Sequence, residues 1–127
     1  LDDLYHPRRM FGGALPGAWP LAAVALHFVD GFEERFAAGV RTSEELLPML
    51  DAIGPLRVER IPNGSNVFEL HVEADDLDGV RERLAGQDVM VPGPATDCRG
   101  FRLKVNETLA RRSAAETARA FELALDA

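Results

Sequence analysis

Arg102 and Lys104 stand two residues apart in Phe101-Arg102-Leu103-Lys104-Val105, where apolar and cationic residues alternate. Alternation with period two puts both cations on one face of a strand. A guanidinium fork grips a carboxylate in two parallel hydrogen bonds, fixing orientation as well as charge. Arg102 is therefore a candidate carboxylate-binding residue. The strand pattern alone favours a plainer reading, an exposed arginine paired with a glutamate. Lys104 is the single lysine of the chain and reads as a solvated strand residue.

Other reactive side chains are scattered. His6 precedes a proline in a loop, His27 lies in an apolar stretch and reads as a hydrogen-bonded core residue, and His71 alternates with Phe68 onto an exposed strand face. No pair of them has metal-ligand spacing. The one cysteine, Cys98, sits in the polar stretch Asp97-Cys98-Arg99-Gly100 and reads as a free surface thiol. Asp75 and Asp76 fit a helix cap better than an acid pair. Trp19 beside Pro20 reads as packing. Neither a phosphate loop nor a Ser-His-Asp arrangement is present.

The elements that must position these residues follow from periodicity. Residues 5–17 are rich in Gly, Pro and Arg and read as loop. Pro20 suits the first turn of a helix, and Leu21–Val29 is apolar on every face, which predicts a buried helix. Phe32, Phe36, Val40, Leu47, Leu50 and Ile53 recur at helical spacing. They predict one long amphipathic helix, or two joined near Gly39 with Thr42 and Glu45 capping the second. Gly54-Pro55 ends this block.

Short strands are then expected at 57–61, 66–72, 88–91 and 101–105, with Asn63-Gly64 turning the first hairpin. A helix carrying Leu77, Val80 and Leu84 falls between the second and third. A last helix is opened by the Ser113/Glu116 capping box, with Ala114, Ala118, Phe121 and Leu125 as its buried stripe. The expected class is α+β: an N-terminal helical segment, then a small, mostly antiparallel sheet with helices on one face.

The 127 residues suit one compact domain, and 46% hydrophobic content suffices for a core. A net charge of -7 without any basic block argues against nucleic acid or an anionic membrane as partner. Trp19–Val29 has about half the length that a spanning helix needs. The lone cysteine excludes an internal disulfide and points to a cytoplasmic protein. The chain starts at Leu1, with no signal-peptide pattern and no initiator methionine, and is expected to begin inside a larger protein.

Three segments carry a resemblance: Arg8-Arg9-Met10-Phe11-Gly12-Gly13-Ala14-Leu15 with Pro20-Leu21-Ala22-Ala23; Asn66-Val67-Phe68; and Phe101-Arg102-Leu103. In this order they resemble the glycine-rich loop and Ala-rich helix, the strand opening the small domain, and the strand before the last helix of threonine aldolases and related β-eliminating lyases. Together they span almost the whole chain. The resemblance implies the small domain of a fold-type-I pyridoxal-phosphate enzyme. Residues 1–53 would form the glycine-rich loop and bridging helices, and 54–127 the α+β small domain. The large domain that holds pyridoxal 5'-phosphate would lie upstream.

The resemblance also implies that Arg102 holds the α-carboxylate of an amino-acid substrate. Arg9 would be a basic residue near the site, and Gly12 and Gly13 would allow close approach to the cofactor or a neighbouring subunit. The expected activity of the parent protein is retro-aldol cleavage of a β-hydroxy amino acid to glycine and an aldehyde, by a homo-oligomer. This chain alone is not expected to be active, because the lysine that bonds the cofactor lies upstream in the family. Ala14 replaces a third glycine of the family and Pro16 an arginine near the cofactor, and losing that cation weakens the implied phosphate or substrate contacts of the loop; Val105-Asn106 stands near a Thr-His pair of the family, so substrate choice could differ from threonine. The rival expectations are a non-catalytic α+β module that binds a small ligand or a partner protein, and a catalytically inactive relative.

Overall fold

The computed structural model describes residues 19–63 and 66–126. Arg9, Gly12 and Gly13 lie outside the described residues. Packing divides the chain into two compact units, Leu1–Glu33 and Glu34–Ala127.

In the first unit, helix α1 spans Trp19–Val29, with Pro20 in its first turn as expected. Gly31, at φ 66°, turns the chain after it. The expectation of a buried helix is not met among the described residues. None of its residues is buried, and Trp19 is 76% exposed. His27 is likewise exposed and stacks edge-on against Phe28, with ring centroids 5.0 Å apart, so it is not a core histidine. A helix apolar on every face is built to be enclosed, and the described residues leave it uncovered.

Helix α2 spans Phe32–Asp51 without a break. Thr42 does not cap a second helix: its hydroxyl donates to the Ala38 carbonyl one turn back, 3.1 Å away. Gly39 is buried where α2 crosses the chain at Asn106. A Cβ on Gly39 would run into the Asn106 carbonyl, so glycine is kept here for close approach rather than for a kink. At the far end, the Asp51 carboxylate accepts the Val58 N–H at 2.8 Å, tying α2 to the first strand.

The second unit is α+β. Strands β1 (Leu56–Arg60), β2 (Val67–Val72) and β3 (Gly100–Lys104) form one antiparallel sheet in the order β1-β2-β3. Helix α3 (Leu77–Ala85) follows β2, and α4 (Ala114–Leu125) closes the chain after a short 3-10 helix at Glu107–Arg111. Alternation reads directly as burial: Phe68, Leu70 and Val72 are buried and their neighbours less so. The core joins these residues and Phe101 to Leu46, Leu47 and Leu50 of α2, Val80 and Leu84 of α3, and Ala118, Phe121 and Ala124 of α4. The helices therefore cover one face of the sheet.

Asp76, not Asp75, caps α3, accepting the Gly79 N–H at 2.8 Å. The Ser113/Glu116 capping box is formed in both directions. The strand expected at 88–91 does not form. Asp88 adopts φ 60°, and the Val89 N–H turns back to the Leu84 carbonyl at 3.0 Å. A donor spent on ending a helix is lost to a ladder, and Pro92 and Pro94 supply none. The segment still packs Val89 and Val91 on the core, while Met90 is 82% exposed.

Candidate functional site

The sheet face away from the helices carries a row of charge. Antiparallel register places Glu59 opposite Glu69, and Glu69 opposite Arg102. Two glutamates directly opposite each other repel, and two arginines and a histidine are arranged around them. Arg57 Nη1 donates to Glu59 Oε2 at 3.0 Å. His71 Nε2 lies 3.0 Å from Glu59 Oε2 and 3.9 Å from Glu69 Oε2. Arg102 Nη2 donates to Glu69 Oε1 at 2.6 Å, and its Nε donates to the same oxygen at 3.2 Å.

A second carboxylate reaches Arg102 from the segment before β3. Asp97 Oδ2 accepts from Nη2 at 2.7 Å. Phe101 and Leu103, the strand neighbours of Arg102, turn to the opposite face, so the arginine stands where alternation predicts. Its side chain is 43% exposed, against 18% for Glu69 and 60% for Asp97. The hydrogen bonds to Asp97 and Glu69 push the Arg102 guanidinium further toward its charged form. The bond from Arg102 holds the Asp97 carboxyl below the usual carboxylate range. The hydrogen bonds from Arg57 and His71 do the same for Glu59.

Cys98 borders this face. Burial pushes its thiol pKa up, and the charges of Glu69 and Asp97 add to that effect. A raised thiol pKa makes a poor nucleophile at neutral pH; the thiol is free, as expected, but half-buried rather than on the surface.

Asn66, one of the residues behind the resemblance, is a staple between strands. Its side-chain Nδ2 donates to the Val105 carbonyl at 2.9 Å, and its own carbonyl accepts the Val105 N–H at 2.7 Å. Asn106 caps the 3-10 helix by accepting the Thr108 N–H at 2.8 Å. Both asparagines thus hold the ends of the strands that frame Arg102.

Two grooves flank the sheet. One, of about 410 Å³, runs along the free edge of β3, with Val89 to Pro92 on one side and Phe121 in its lining. Arg102 and Lys104 both border it. The other, of about 340 Å³, lies between α2 and the β1–β2 hairpin, with the Arg60–Glu44 ion pair among its lining residues. Neither lining brings together a lysine, a carboxylate for a pyridine nitrogen and a ring-stacking partner. The described residues thus do not fit pyridoxal phosphate as its principal site.

No group of three or more His, Cys, Asp or Glu among the described residues is placed to hold a metal ion. No helix among them is long and apolar enough to cross a membrane. The chain matches no family model, no curated protein and no solved structure.

The sequence singled out Arg102 and a glutamate as its kind of partner, but not which carboxylates hold it. Glu69 and His71 were visible as residues of the outward face, whereas register and the reach of Asp97 are set by tertiary structure.

Proposed function

We propose that this chain is the C-terminal part of a pyridoxal-phosphate-dependent amino-acid lyase similar to threonine aldolases. The parent protein, a homo-oligomer, cleaves a β-hydroxy amino acid to glycine and an aldehyde. The observation that carries the reading is Arg102: a guanidinium in mid-strand on the helix-free face, hydrogen-bonded to carboxylate oxygens at 2.6 and 2.7 Å. The carboxylates it binds here, Glu69 and Asp97, belong to its own chain, as the plainer reading of a paired strand arginine expects. A two-bond grip on an α-carboxylate restrains rotation of the amino acid and presents one Cα bond to the reacting group. The cofactor and the lysine that bonds it belong, in this reading, to an upstream domain.

The test is the visible absorption spectrum of the full-length gene product. A yellow band that shifts on addition of an amino acid supports the lyase. A colourless protein rejects it. In an active protein, Arg102→Ala should raise KM by about 10- to 100-fold, the loss of one or two charge-assisted hydrogen bonds. Unchanged kinetics would sink the assignment of Arg102.

The groove along β3 favours a second reading, a non-catalytic module that binds a small ligand there. Its size falls within the range of small-molecule pockets, and its lining is mostly apolar with a few polar groups at the edge. A colourless protein that still binds carboxylate ligands through Arg102 is the outcome that selects it.

A further inference from the structure

The two carboxylates on Arg102 are not equivalent. Glu69 belongs to the central strand, directly opposite Arg102 in the register, and accepts from both Nε and Nη2. Its backbone is held on both sides by the sheet, and its side chain is only 18% exposed. Asp97 belongs to the irregular segment between Pro92 and Gly100, is 60% exposed, and accepts from Nη2.

Both flanks of Asp97 are fixed independently. The Ala95 N–H donates to the Gly100 carbonyl at 2.9 Å, and the Gly100 N–H to the Cys98 carbonyl at 3.1 Å. Arg99 Nη2 binds Asp75 Oδ1 at 2.9 Å and the Ala74 carbonyl at 3.1 Å. Removing Asp97 from the guanidinium thus requires a rotation about its own side-chain bonds, a fast and local motion, and no refolding of the segment.

Charge decides what happens when an anion arrives. Arg57 and Arg102 are hydrogen-bonded to three carboxylates, Glu59, Glu69 and Asp97, one more than the arginines that hold them. An added carboxylate would double that excess. Swinging Asp97 outward takes its charge away from the incoming one and lessens the repulsion between them.

We infer that Asp97 is a placeholder, occupying on Arg102 the position that a ligand carboxylate takes, while Glu69 remains as the anchor that orients the guanidinium. The inference rests on the reading of Arg102 as the carboxylate-binding residue. Asp97 sets the affinity of the site by competition, so only ligands presenting a carboxylate in good geometry displace it.

The experiment is isothermal titration of the full-length protein with glycine, and with glycinamide, which lacks the carboxylate. Wild type is compared with Asp97→Asn and Asp97→Ala, two changes at an exposed position. Glycine is expected to bind both variants about tenfold more tightly than wild type, the worth of one competing charge-assisted hydrogen bond. Glycinamide binding is expected to stay the same. Glycine binding that is equal or weaker in both variants overturns the placeholder and leaves the reading of Arg102 standing. Absence of glycine binding in wild type and in both variants overturns the carboxylate-binding reading of Arg102, and this inference with it.

Discussion

Four carboxylates of this chain sit below their ordinary pKa for a visible reason. Glu44 is held by Arg60, Glu59 by Arg57 and His71, Asp97 by Arg102, and Glu116 by the Ser113 hydroxyl and backbone N–H. A carboxylate with a depressed folded pKa stabilises the fold above its unfolded value and ceases to do so as pH falls through the folded one. Thermal stability should therefore stay level from neutral pH to about 5 and fall below about 4, the ordinary carboxylate range. All four groups are exposed, so 0.5 M salt should blunt the fall. Melting curves recorded across that pH range, with and without salt, check both statements. A stability that rises on acidification would contradict the assigned ion pairs. At this scale the sequence exposed Arg102 as an outward-facing strand cation, and even its pairing with a glutamate. It could not show Asp97 as the second partner, because no local pattern reveals which side chain of an irregular segment folds back over a strand.

At the scale of elements, Gly39 gives a sharp test. Ala is the better helix former by about 1 kcal/mol, so Gly39→Ala would stabilise a solvent-facing helix. Here the new methyl meets the Asn106 carbonyl, and the net effect should be a loss of about 1–3 kcal/mol. Urea denaturation distinguishes the two signs. Ser113→Ala should cost about 1 kcal/mol by removing the cap of α4. The capping box, the alternation of β2 and the stripe of α4 were legible because each is a local pattern with one physical solution. The missing strand at 88–91 was not. Its apolar residues fit a strand, but the Val89 N–H is taken by the end of α3. Thr42 misled in the same way: threonine caps helices, and it also bonds one turn back inside them.

For the whole molecule, α1 is the feature with the largest consequence. Trp19, Leu21, Val24, Leu26, Phe28 and Val29 are each more than half exposed. Together they present apolar surface on the order of the ~800 Å² that one partner gives to a standard interface. Soluble monomers rarely show such a patch. The isolated chain should self-associate at micromolar concentration, as light scattering after size exclusion would show. The pair of changes Leu26→Glu and Phe28→Glu should return it to a monomer. A wild-type chain that elutes as a monomer would mean that the patch is covered within the chain. The sequence marked this helix as one that must be enclosed. What encloses it is not written in its own periodicity.

The order of the strands also fixes the order in which the arginine's surroundings are assembled. Six residues of sequence separate β1 from β2, whereas β3 reaches β2 only after the chain has run through α3 and the segment beyond it. Contacts distant in sequence carry a larger loop-closure cost and tend to form late. The hairpin should thus belong to the folding nucleus, and the meeting of Glu69 with Arg102 should come after the rate-limiting barrier. Leu70→Ala should slow refolding, while Leu103→Ala should chiefly hasten unfolding. The charged face around Arg102 would then be among the last parts of the domain to form and among the first to be lost.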